Sequence, residues 1–267
     1  MLYSSLLKEP RRKEGRLMTS AHNNPTEIDL YAGADPRDLP SYNIMEAAHY
    51  LKIPLATLRA WVQGRYYPVG NQGQKKFFEP VIVRPDKNLP LLSFINLIEA
   101  HILDAIRYKH NIRLPTVRRA INYLKRESNS KHPLADYWFQ TDGVSLFIET
   151  YGNIINVSKE GQIEMEEVIR AYLHRVERDP EGAAIRLYPF LSKRHPEESE
   201  EEPRLVVIDP LVSFGRPVLV GTGIPTSIIA ERFTAGDSID ELADDYGRKE
   251  ADIQEAIRYE FANNRAA

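Results

Sequence analysis

The chain has 267 residues and a formal net charge of −3, and 42% of its residues are apolar and 27% charged. Such a composition is typical of a folded protein with two or three small cores and argues against wholesale disorder. No run approaches the about 18 apolar residues of a spanning helix, so we expect no membrane partner. The sequence contains no cysteine, which excludes disulfides and thiolate metal sites. We therefore expect a cytoplasmic protein.

Charge is divided unevenly along the chain. Residues 41–130 contain fourteen Lys and Arg against six Asp and Glu, a net charge of +8. Residues 203–267 contain seven against eleven, a net charge of −4. A basic front half and an acidic back half suggest two different partners, although solvated faces can also segregate by chance.

The first 40 residues show little apolar periodicity, which indicates a flexible tail. Order is predicted from residue 41, where Asn43 and Glu46 have the spacing of a helix start. This helix is broken before Pro54, and a second short helix follows from Leu55 to Gln63. Two short helices joined by a three- or four-residue turn predict a helix-turn-helix.

The second helix has a polar side that suits entry into the major groove. Its outward positions are predicted to be Thr57, Arg59, Ala60 and Gln63. Arg can recognise guanine edges and Gln can recognise adenine, while small residues allow close approach. We therefore predict DNA contacts by Thr57, Arg59 and Gln63.

A wing is predicted directly after this helix. Two aromatic-containing segments flank a Gly-rich loop that we expect to be tipped by Lys75 and Lys76. Together with Arg65, these side chains would contact the phosphate backbone beside the groove. Arg118 faces outward on a later helix, where a phosphate contact and a merely solvated position are both open.

The run from Ala47 to Trp61, which includes Thr57-Leu58-Arg59, resembles the winged helix-turn-helix of MerR-type proteins. The resemblance covers roughly residues 41–127. It implies a DNA-binding domain over residues 41–130, double-stranded operator DNA as a partner, and a homodimer.

Residues 134–192 form a middle module that we expect to serve packing or dimerisation. Short strands are predicted at 137–139, 144–149 and 154–157, with hairpin turns at 142–143 and 151–153. An amphipathic helix follows, with Met165, Val168, Ile169, Tyr172, Leu173 and Val176 on its apolar stripe. A further strand is predicted at 184–188, and an acidic linker at 193–203.

The C-terminal region, residues 204–267, is predicted to combine a strand pair with three helices. A strand at 205–208 should pair with one at 218–220. Gly221 and Gly223 would then allow backbone angles that a Cβ forbids. Ser238 and Glu241 have the spacing of a capping box for the second of the three helices.

The C-terminal region resembles the family DUF433 over roughly residues 203–260. The resemblance rests on the segments Gly215-Arg-Pro-Val, Gly221-Thr-Gly-Ile-Pro, Ala235-Gly236 and Ser238-Ile239. That resemblance implies a VapB-like type II antitoxin whose partner is a PIN-like nuclease toxin. Many members carry Arg where this chain has Gly223, so a contact made by that Arg would be absent here.

The carboxylate-rich, metal-holding site of a PIN-like nuclease would be blocked by an inserted Arg or by steric closure. Candidates for insertion are Arg216, Arg258 and Arg265, and we also expect the turn Gly221, Thr222 and Gly223 to contact the toxin.

The sequence as a whole predicts an α+β, mainly helical protein with no metal, cofactor or catalytic residues. It contains an N-terminal winged helix-turn-helix, a small β-hairpin-plus-helix middle module and a C-terminal strand plus three-helix domain. Two functions stay open: an antitoxin that also autoregulates its operon, and a ligand-responsive MerR-like regulator without a toxin partner. Catalysis is not expected because no acid–base pair or nucleophile spacing stands out.

Overall fold

A computed structural model of the chain describes residues 31–69, 74–108, 114–155, 158–190 and 203–262. The chain divides into two units, residues 1–33 and residues 34–267. In the first unit the described residues form a turn. Residues 1–30 of the predicted tail and residues 193–202 of the predicted acidic linker lie outside the described residues. The elements named below all belong to the second unit.

In the described residues the α-helices are α1 (Ile44–Tyr50), α2 (Leu55–Gln63), α3 (Phe94–Tyr108), α4 (Leu114–Ser128), α5 (Val144–Ile155), α6 (Lys159–His174), α7 (Thr226–Ala235), α8 (Ile239–Tyr246) and α9 (Glu250–Phe261). The strands are β1 (Tyr42–Asn43), β2 (Arg65–Val69), β3 (Gln74–Phe78), β4 (Leu91–Leu92), β5 (Val176–Arg178), β6 (Ala184–Leu187), β7 (Val206–Val207) and β8 (Val218–Leu219). They pair antiparallel as β1 with β4, β2 with β3, β5 with β6 and β7 with β8. This mixed, mainly helical architecture confirms the predicted fold class. In the same described ranges, no helix is long and apolar enough to cross a bilayer.

The helix-turn-helix consists of α1 and α2. Asn43 Oδ1 accepts a hydrogen bond from the Glu46 amide at 2.9 Å, and the Glu46 carboxylate accepts from the Asn43 amide at 3.1 Å, so α1 begins with a full capping box. Lys52 adopts φ +56 in the turn, and α2 begins three residues later. The predicted apolar side of α2 is confirmed because its members are buried: Leu58, Trp61 and Val62.

The prediction that Ala60 faces outward on α2 is wrong. Ala60 is buried, because the chain after β3 folds back against the C-terminal half of this helix. There the amides of Val81 and Ile82 both donate to the Trp61 carbonyl. The returning segment covers a side of α2 that helical periodicity alone assigns to solvent.

A single apolar cluster extends from the helix-turn-helix through the middle of the chain to Ile208. It contains fully buried side chains from α2 to α6, among them Trp61, Phe94, Leu124, Phe147 and Ile169. Each such side chain contributes about 1.5–3 kcal/mol of burial. The cluster continues across the predicted boundary at residue 130, so the position of α2 depends on the same core as α3–α6.

The predicted strands and turns between residues 137 and 155 are wrong. The chain forms a π-helical turn, Phe139–Gly143, that continues directly into α5. Val144, Phe147 and Ile148 are all buried, at spacings of three and four residues. The apolar run is therefore one face of a helix rather than a strand. Residues 156–157 of the last predicted strand lie outside the described residues.

The two glycines assigned to hairpin turns are close-packing positions instead. A Cβ on Gly143 would lie 2.9 Å from ring atoms of Phe139 and Trp138. A Cβ on Gly152 would lie 2.5 Å from Nε2 of Gln162, which belongs to α6. Packing of α5 on its neighbours thus overrides the strand propensity of its residues.

The later predictions for the middle region are confirmed except at one position. Helix α6 buries five members of the predicted stripe, Met165, Val168, Ile169, Tyr172 and Leu173. The sixth was wrong, because α6 ends at His174 and Val176 pairs with Leu187 as the first residue of β5. The predicted strand at 184–188 is present as β6, and it pairs with β5. The middle module does contain a β-hairpin, but it follows the long helix and does not precede it.

The C-terminal region has the predicted strand pair. Val206 lies opposite Leu219 in β7 and β8, and α7, α8 and α9 follow. The capping box at the start of α8 is also confirmed.

Only one of the two glycines in the turn after β8 has the predicted backbone. Gly221 has φ +75, but Gly223 lies outside the left-handed region. The Thr222 hydroxyl donates to the Leu219 carbonyl at 2.8 Å and accepts from the Ile224 amide at 3.1 Å. Because the side chain closes the turn, one left-handed residue is sufficient.

Candidate functional site

The exposed face of α2 is narrow and polar. Arg59 and Gln63 are exposed one turn apart, and Ala56 is exposed one turn before Arg59. Thr57 is half-buried, and its amide donates to the Pro54 carbonyl at 2.9 Å. A small residue beside Arg and Gln allows the backbone to approach a base edge. Ala56 was missed because sequence reasoning placed the outward side one residue further along.

The wing is the β2–β3 hairpin. Lys75 and Lys76 are both exposed but lie on β3, opposite Pro68 and Tyr67, so their predicted place at the tip of the loop is wrong. The strand begins at Gln74, earlier than predicted, and its alternation points the two lysines to opposite faces. Arg65 is exposed at the start of β2. The loop itself, residues 70–73, lies outside the described residues.

Arg118 holds the base of the wing. Its Nη2 donates to the Pro80 carbonyl at 3.1 Å, and its guanidinium lies 4.3 Å from the centroid of the Phe78 ring. Burial lowers the pKa of Arg118 from its ordinary value. These contacts fix α4 to the end of β3, and a phosphate contact by Arg118 stays a prediction.

The C-terminal region contacts the helix-turn-helix through a buried ammonium group. Lys52, in the turn between α1 and α2, is 4% exposed. Its ammonium donates to the Tyr259 carbonyl near the end of α9 and lies 3.8 Å from the centroid of the Tyr259 ring. That carbonyl belongs to the last turn of α9, where a cation complements the helix dipole. Burial lowers the pKa of Lys52 to about 8, against the opposing charge of Glu260.

A second contact lies beside this one. His49 Nε2 and Glu260 Oε2 are 2.6 Å apart, and the Thr226 hydroxyl donates to the other carboxylate oxygen. Burial opposes ionisation of Glu260, but these hydrogen bonds hold its pKa below the ordinary value. The Tyr259 hydroxyl donates to the Tyr50 carbonyl at 2.8 Å. We call this set, Lys52, His49, Tyr50, Tyr259 and Glu260, the junction.

The junction joins residues more than 200 positions apart, and no sequence pattern pointed to it. A histidine in α1 and a lysine in a turn have no local signature that distinguishes an internal partner from solvent. The junction leaves the outward face of α2 exposed, so contact with the C-terminal region does not cover the predicted base-contacting residues.

The predicted toxin-binding turn is joined to a neighbouring loop. Arg216, Gly221 and Gly223 are exposed, and the Gly223 carbonyl accepts a hydrogen bond from the Ser213 hydroxyl at 2.7 Å. Thr222 is half-buried, and its hydroxyl is used within the turn. The turn after β8 and the loop between β7 and β8 therefore form one surface.

That loop carries two exposed apolar side chains, Leu211 at 70% and Phe214 at 75%, which we call the apolar knob. Ser213 and Phe214 both have left-handed backbones, with φ +48 and +55. For an aromatic residue this conformation is strained, and such strain clusters at functional sites. Sequence reasoning missed the knob because left-handed backbone is unexpected at Ser-Phe.

Tyr42 of β1 supports the base of the knob. Gly215 has φ +75, and a Cβ there would lie 2.0 Å from the Tyr42 hydroxyl oxygen. The knob is therefore seated on β1, the strand that precedes the helix-turn-helix. The remaining predicted residues lie elsewhere: Arg258 is exposed on α9 and pairs with Glu255 at 2.7 Å, and Arg265 lies outside the described residues.

A cleft of about 380 Å³ opens between the segment after residue 34, the start of α3 and the β5–β6 hairpin. Arg37 and Arg178 line it, but each is already bound within the protein, Arg37 to Asp35 and Arg178 to Gln140 and the Gly182 carbonyl. The cleft has the volume of a small-molecule site.

Two parts of the chain match known families. Residues 40–121 match the family described as "Putative DNA-binding HTH domain", and residues 206–259 match the family described as "Protein of unknown function (DUF433)". The second match confirms the predicted resemblance. The first confirms a helix-turn-helix without distinguishing the MerR type.

Two proteins of Mycobacterium tuberculosis are similar to most of the chain. "Putative antitoxin VapB45" is 27% identical over 239 residues, which cover 82% of this chain and 93% of that protein. "Uncharacterized protein Rv2308" is 25% identical over 236 residues, which cover 83% of this chain and 90% of that protein.

A solved structure shares the fold. The crystal structure of Rv2018 from Mycobacterium tuberculosis aligns with a TM-score of 0.56 at 22% identity and covers 83% of this chain and 98% of its own. The chain thus combines a helix-turn-helix and a region that matches DUF433 in a fold that a solved structure shares. It is also similar to a protein named as an antitoxin over most of its length.

Proposed function

We propose that the chain is an antitoxin-type regulator that binds operator DNA through residues 41–130 and a protein partner through residues 204–267. The partner is a PIN-like nuclease toxin, and the protein acts as a homodimer that represses its own operon. Residues 134–192 serve packing or dimerisation. One observation carries the proposal: a helix-turn-helix with exposed Arg59 and Gln63 and a C-terminal region with an exposed apolar knob occur on one chain that is similar, over most of its length, to a protein named as an antitoxin.

DNA binding is supported by the shape and charge of the first region. Arg59 and Gln63 are exposed on α2, and Arg65, Lys75 and Lys76 are exposed on the adjoining wing. Residues 41–130 carry a net charge of +8, which favours a polyanion. In a MerR-like mode, α2 would enter the major groove while the wing contacts the flanking backbone.

Partner binding is supported by the apolar knob and its neighbour Arg216. Exposed aromatic and Arg side chains are the residue types that dominate protein interfaces. Phe214 is 75% exposed on a left-handed backbone, so a partner could bury most of its ring. Arg216, together with Arg258 and Arg265, is the proposed source of a guanidinium that neutralises the nuclease carboxylates.

The DNA part is tested by fluorescence anisotropy with a duplex from directly upstream of the coding sequence. Arg59→Ala should weaken binding by about 1–3 kcal/mol and relax sequence preference, whereas Lys75→Ala should weaken binding to all sequences alike. Arg258→Ala serves as the matched control and should leave DNA affinity unchanged. Failure of the unaltered chain to bind any duplex refutes this part.

The partner part is tested by co-expression with a PIN-like nuclease encoded beside the gene, which the proposal requires. The unaltered chain should copurify with the nuclease and suppress its activity, and alanine at Arg216, Arg258 and Arg265 together should release that activity. Arg59→Ala is the control here and should retain inhibition. Full inhibition by the triple variant would remove the arginine mechanism.

A second function, a ligand-responsive regulator without a toxin partner, is favoured by the cleft of about 380 Å³. Native mass spectrometry of the purified chain would find a copurified small molecule in that case, and adding the molecule would change DNA affinity. If a nuclease copurifies with the chain and no small molecule is found, the result supports the antitoxin function over the ligand-responsive regulator.

A further inference from the structure

The wing has one face turned to the core and one turned to solvent. Phe78 is buried in the main core and Tyr67 packs against it, so their face is inward. The other face is formed by two cross-strand pairs, and we call it the outer wing face: Tyr66 with Phe77, and Pro68 with Lys75.

The outer wing face is unusually apolar for a solvent-exposed ribbon. Tyr66 is 68% exposed and Phe77 38% exposed. Their ring centroids are 5.0 Å apart with an interplanar angle of 53°, so the two rings form one continuous aromatic surface. The solvent face of an antiparallel ribbon is ordinarily polar, and an exposed apolar patch marks an interaction site.

The aromatic pair lies directly against the end of the recognition helix. Gly64 follows the last residue of α2 and has φ +74. A Cβ at this position would lie 2.7 Å from Cζ of Phe77 and 2.2 Å from the Phe78 carbonyl oxygen. The absence of a side chain at Gly64 therefore lets the Phe77 ring rest on the C-terminal end of α2, next to Gln63.

The charge around the pair selects its partner. Lys75 shares the outer wing face, whereas the exposed side chains of Arg65 and Lys76 lie on the opposite face of the same two strands. An aromatic surface that carries a lysine and adjoins α2 suits duplex DNA, where apolar side chains contact sugars and base edges in the minor groove. An apolar protein partner would leave the Lys75 ammonium without a counter-charge.

We infer that Tyr66 and Phe77 pack on the deoxyribose and base edges of the minor groove that adjoins the major groove occupied by α2, while Lys75 contacts the flanking phosphate. This inference rests on the proposed DNA-binding function and adds a non-electrostatic contact to it. Affinity then has two separable parts, one that falls with salt and one that does not.

Salt dependence distinguishes the two parts. The full chain is titrated with the labelled upstream duplex between about 50 and 200 mM salt. Tyr66→Ser should weaken binding about 5- to 50-fold at every salt concentration and leave the slope of log affinity against log salt unchanged. Lys75→Ala should make the slope shallower by about 0.9.

Ile163→Ser is the matched control, because Ile163 is an apolar side chain, 59% exposed, on α6 and far from the wing in sequence. It should change neither affinity nor slope. Thermal unfolding of each variant checks the fold, and Tyr66 is chosen over Phe77 because its ring is the more exposed of the two.

The affinity, the salt slope and the oligomeric state of Tyr66→Ser each support or overturn the inference. Unchanged affinity of Tyr66→Ser overturns it while DNA binding stands, and a shallower slope for Tyr66→Ser overturns it because the ring then acts by positioning charges. Loss of dimer with intact DNA affinity would assign the pair to a protein interface instead. If the unaltered chain binds no duplex, the proposed function fails and the inference fails with it.

Discussion

The buried ammonium of the junction leads to a prediction about stability and pH. Lys52→Met keeps an unbranched apolar side chain but removes the charge. In the folded chain the Lys52 ammonium is enclosed by the Tyr259 carbonyl and ring, with Glu260 nearby, and burial lowers its pKa from 10.5 to about 8.

The magnitude follows from that pKa difference. The lowering of the Lys52 pKa from 10.5 to about 8 means that burying the charged ammonium costs about 3 kcal/mol of folding free energy. The unfolded chain keeps the proton up to pH 10.5, while the folded chain releases it near pH 8. The unfolded state therefore binds more protons in this window, so the burial cost is fully present below pH 8 and disappears as pH rises to 10.5. About 2 kcal/mol of the change should fall between about pH 7 and 9.5.

The assay is urea unfolding of the full chain and of Lys52→Met at a series of pH values, extrapolated linearly to water. The free energy of unfolding of the unaltered chain should rise relative to the variant by about 2 kcal/mol over that window. Burial raises the pKa of Tyr50 to about 12 and that of Tyr259 well above its ordinary value, but both tyrosines are present in both proteins. Burial opposes ionisation of Glu260, but its hydrogen bonds keep its pKa below this window. If the difference in the free energy of unfolding between the two proteins does not change with pH, the Lys52 ammonium is solvated and the junction is refuted.

Three further predictions concern the knob and a buried ion pair. Phe214→Gly should raise the free energy of unfolding by about 1 kcal/mol, because glycine adopts the left-handed backbone without strain. The same substitution should weaken binding to the protein partner. A lower free energy of unfolding would contradict the inferred strain at Phe214. Gly215→Ala should lower the free energy of unfolding by about 1–3 kcal/mol, because φ is +75 and the new Cβ would meet the Tyr42 hydroxyl. An unchanged midpoint of urea unfolding would contradict this prediction. The Glu99 carboxylate, 3.0 Å from Nδ1 of His132, raises the pKa of His132, so the stabilising effect of this pair is full below the unfolded-state value of 6.5 and is lost as pH rises through the folded-state pKa. Urea unfolding should therefore show His132→Gln approaching the unaltered chain as pH rises above 6.5, and a growing gap would contradict the pairing.

Local patterns were sufficient where the physical cause is itself local. The capping boxes at Asn43 and Ser238 depend on residues three apart, and both were predicted. The helix-turn-helix, the pairing of β7 with β8 and the three C-terminal helices likewise follow from short-range spacing and turn residues. The exposed positions Arg59 and Gln63 of α2 were predicted for the same reason, although Ala60, assigned to the same side, is buried.

Prediction failed where packing between distant segments decides the outcome. Residues 144–155 have a strand-like composition, yet they form α5 because Val144, Phe147 and Ile148 find a helical face to bury. Gly143 was taken as a turn residue, although its role is to admit neighbouring rings.

By itself, then, the sequence determined the class of fold, the helix-turn-helix, the resemblance to DUF433 and the exposed positions of Arg59 and Gln63 on α2. Only the tertiary structure decided that Lys52 meets Tyr259, that Phe214 stands exposed on a left-handed turn, and that Tyr66 and Phe77 share one face of the wing. Each of these depends on strand register or on contacts between residues far apart in the chain. Such contacts are chosen by the total burial and hydrogen bonding of the folded molecule, which no local window of sequence contains.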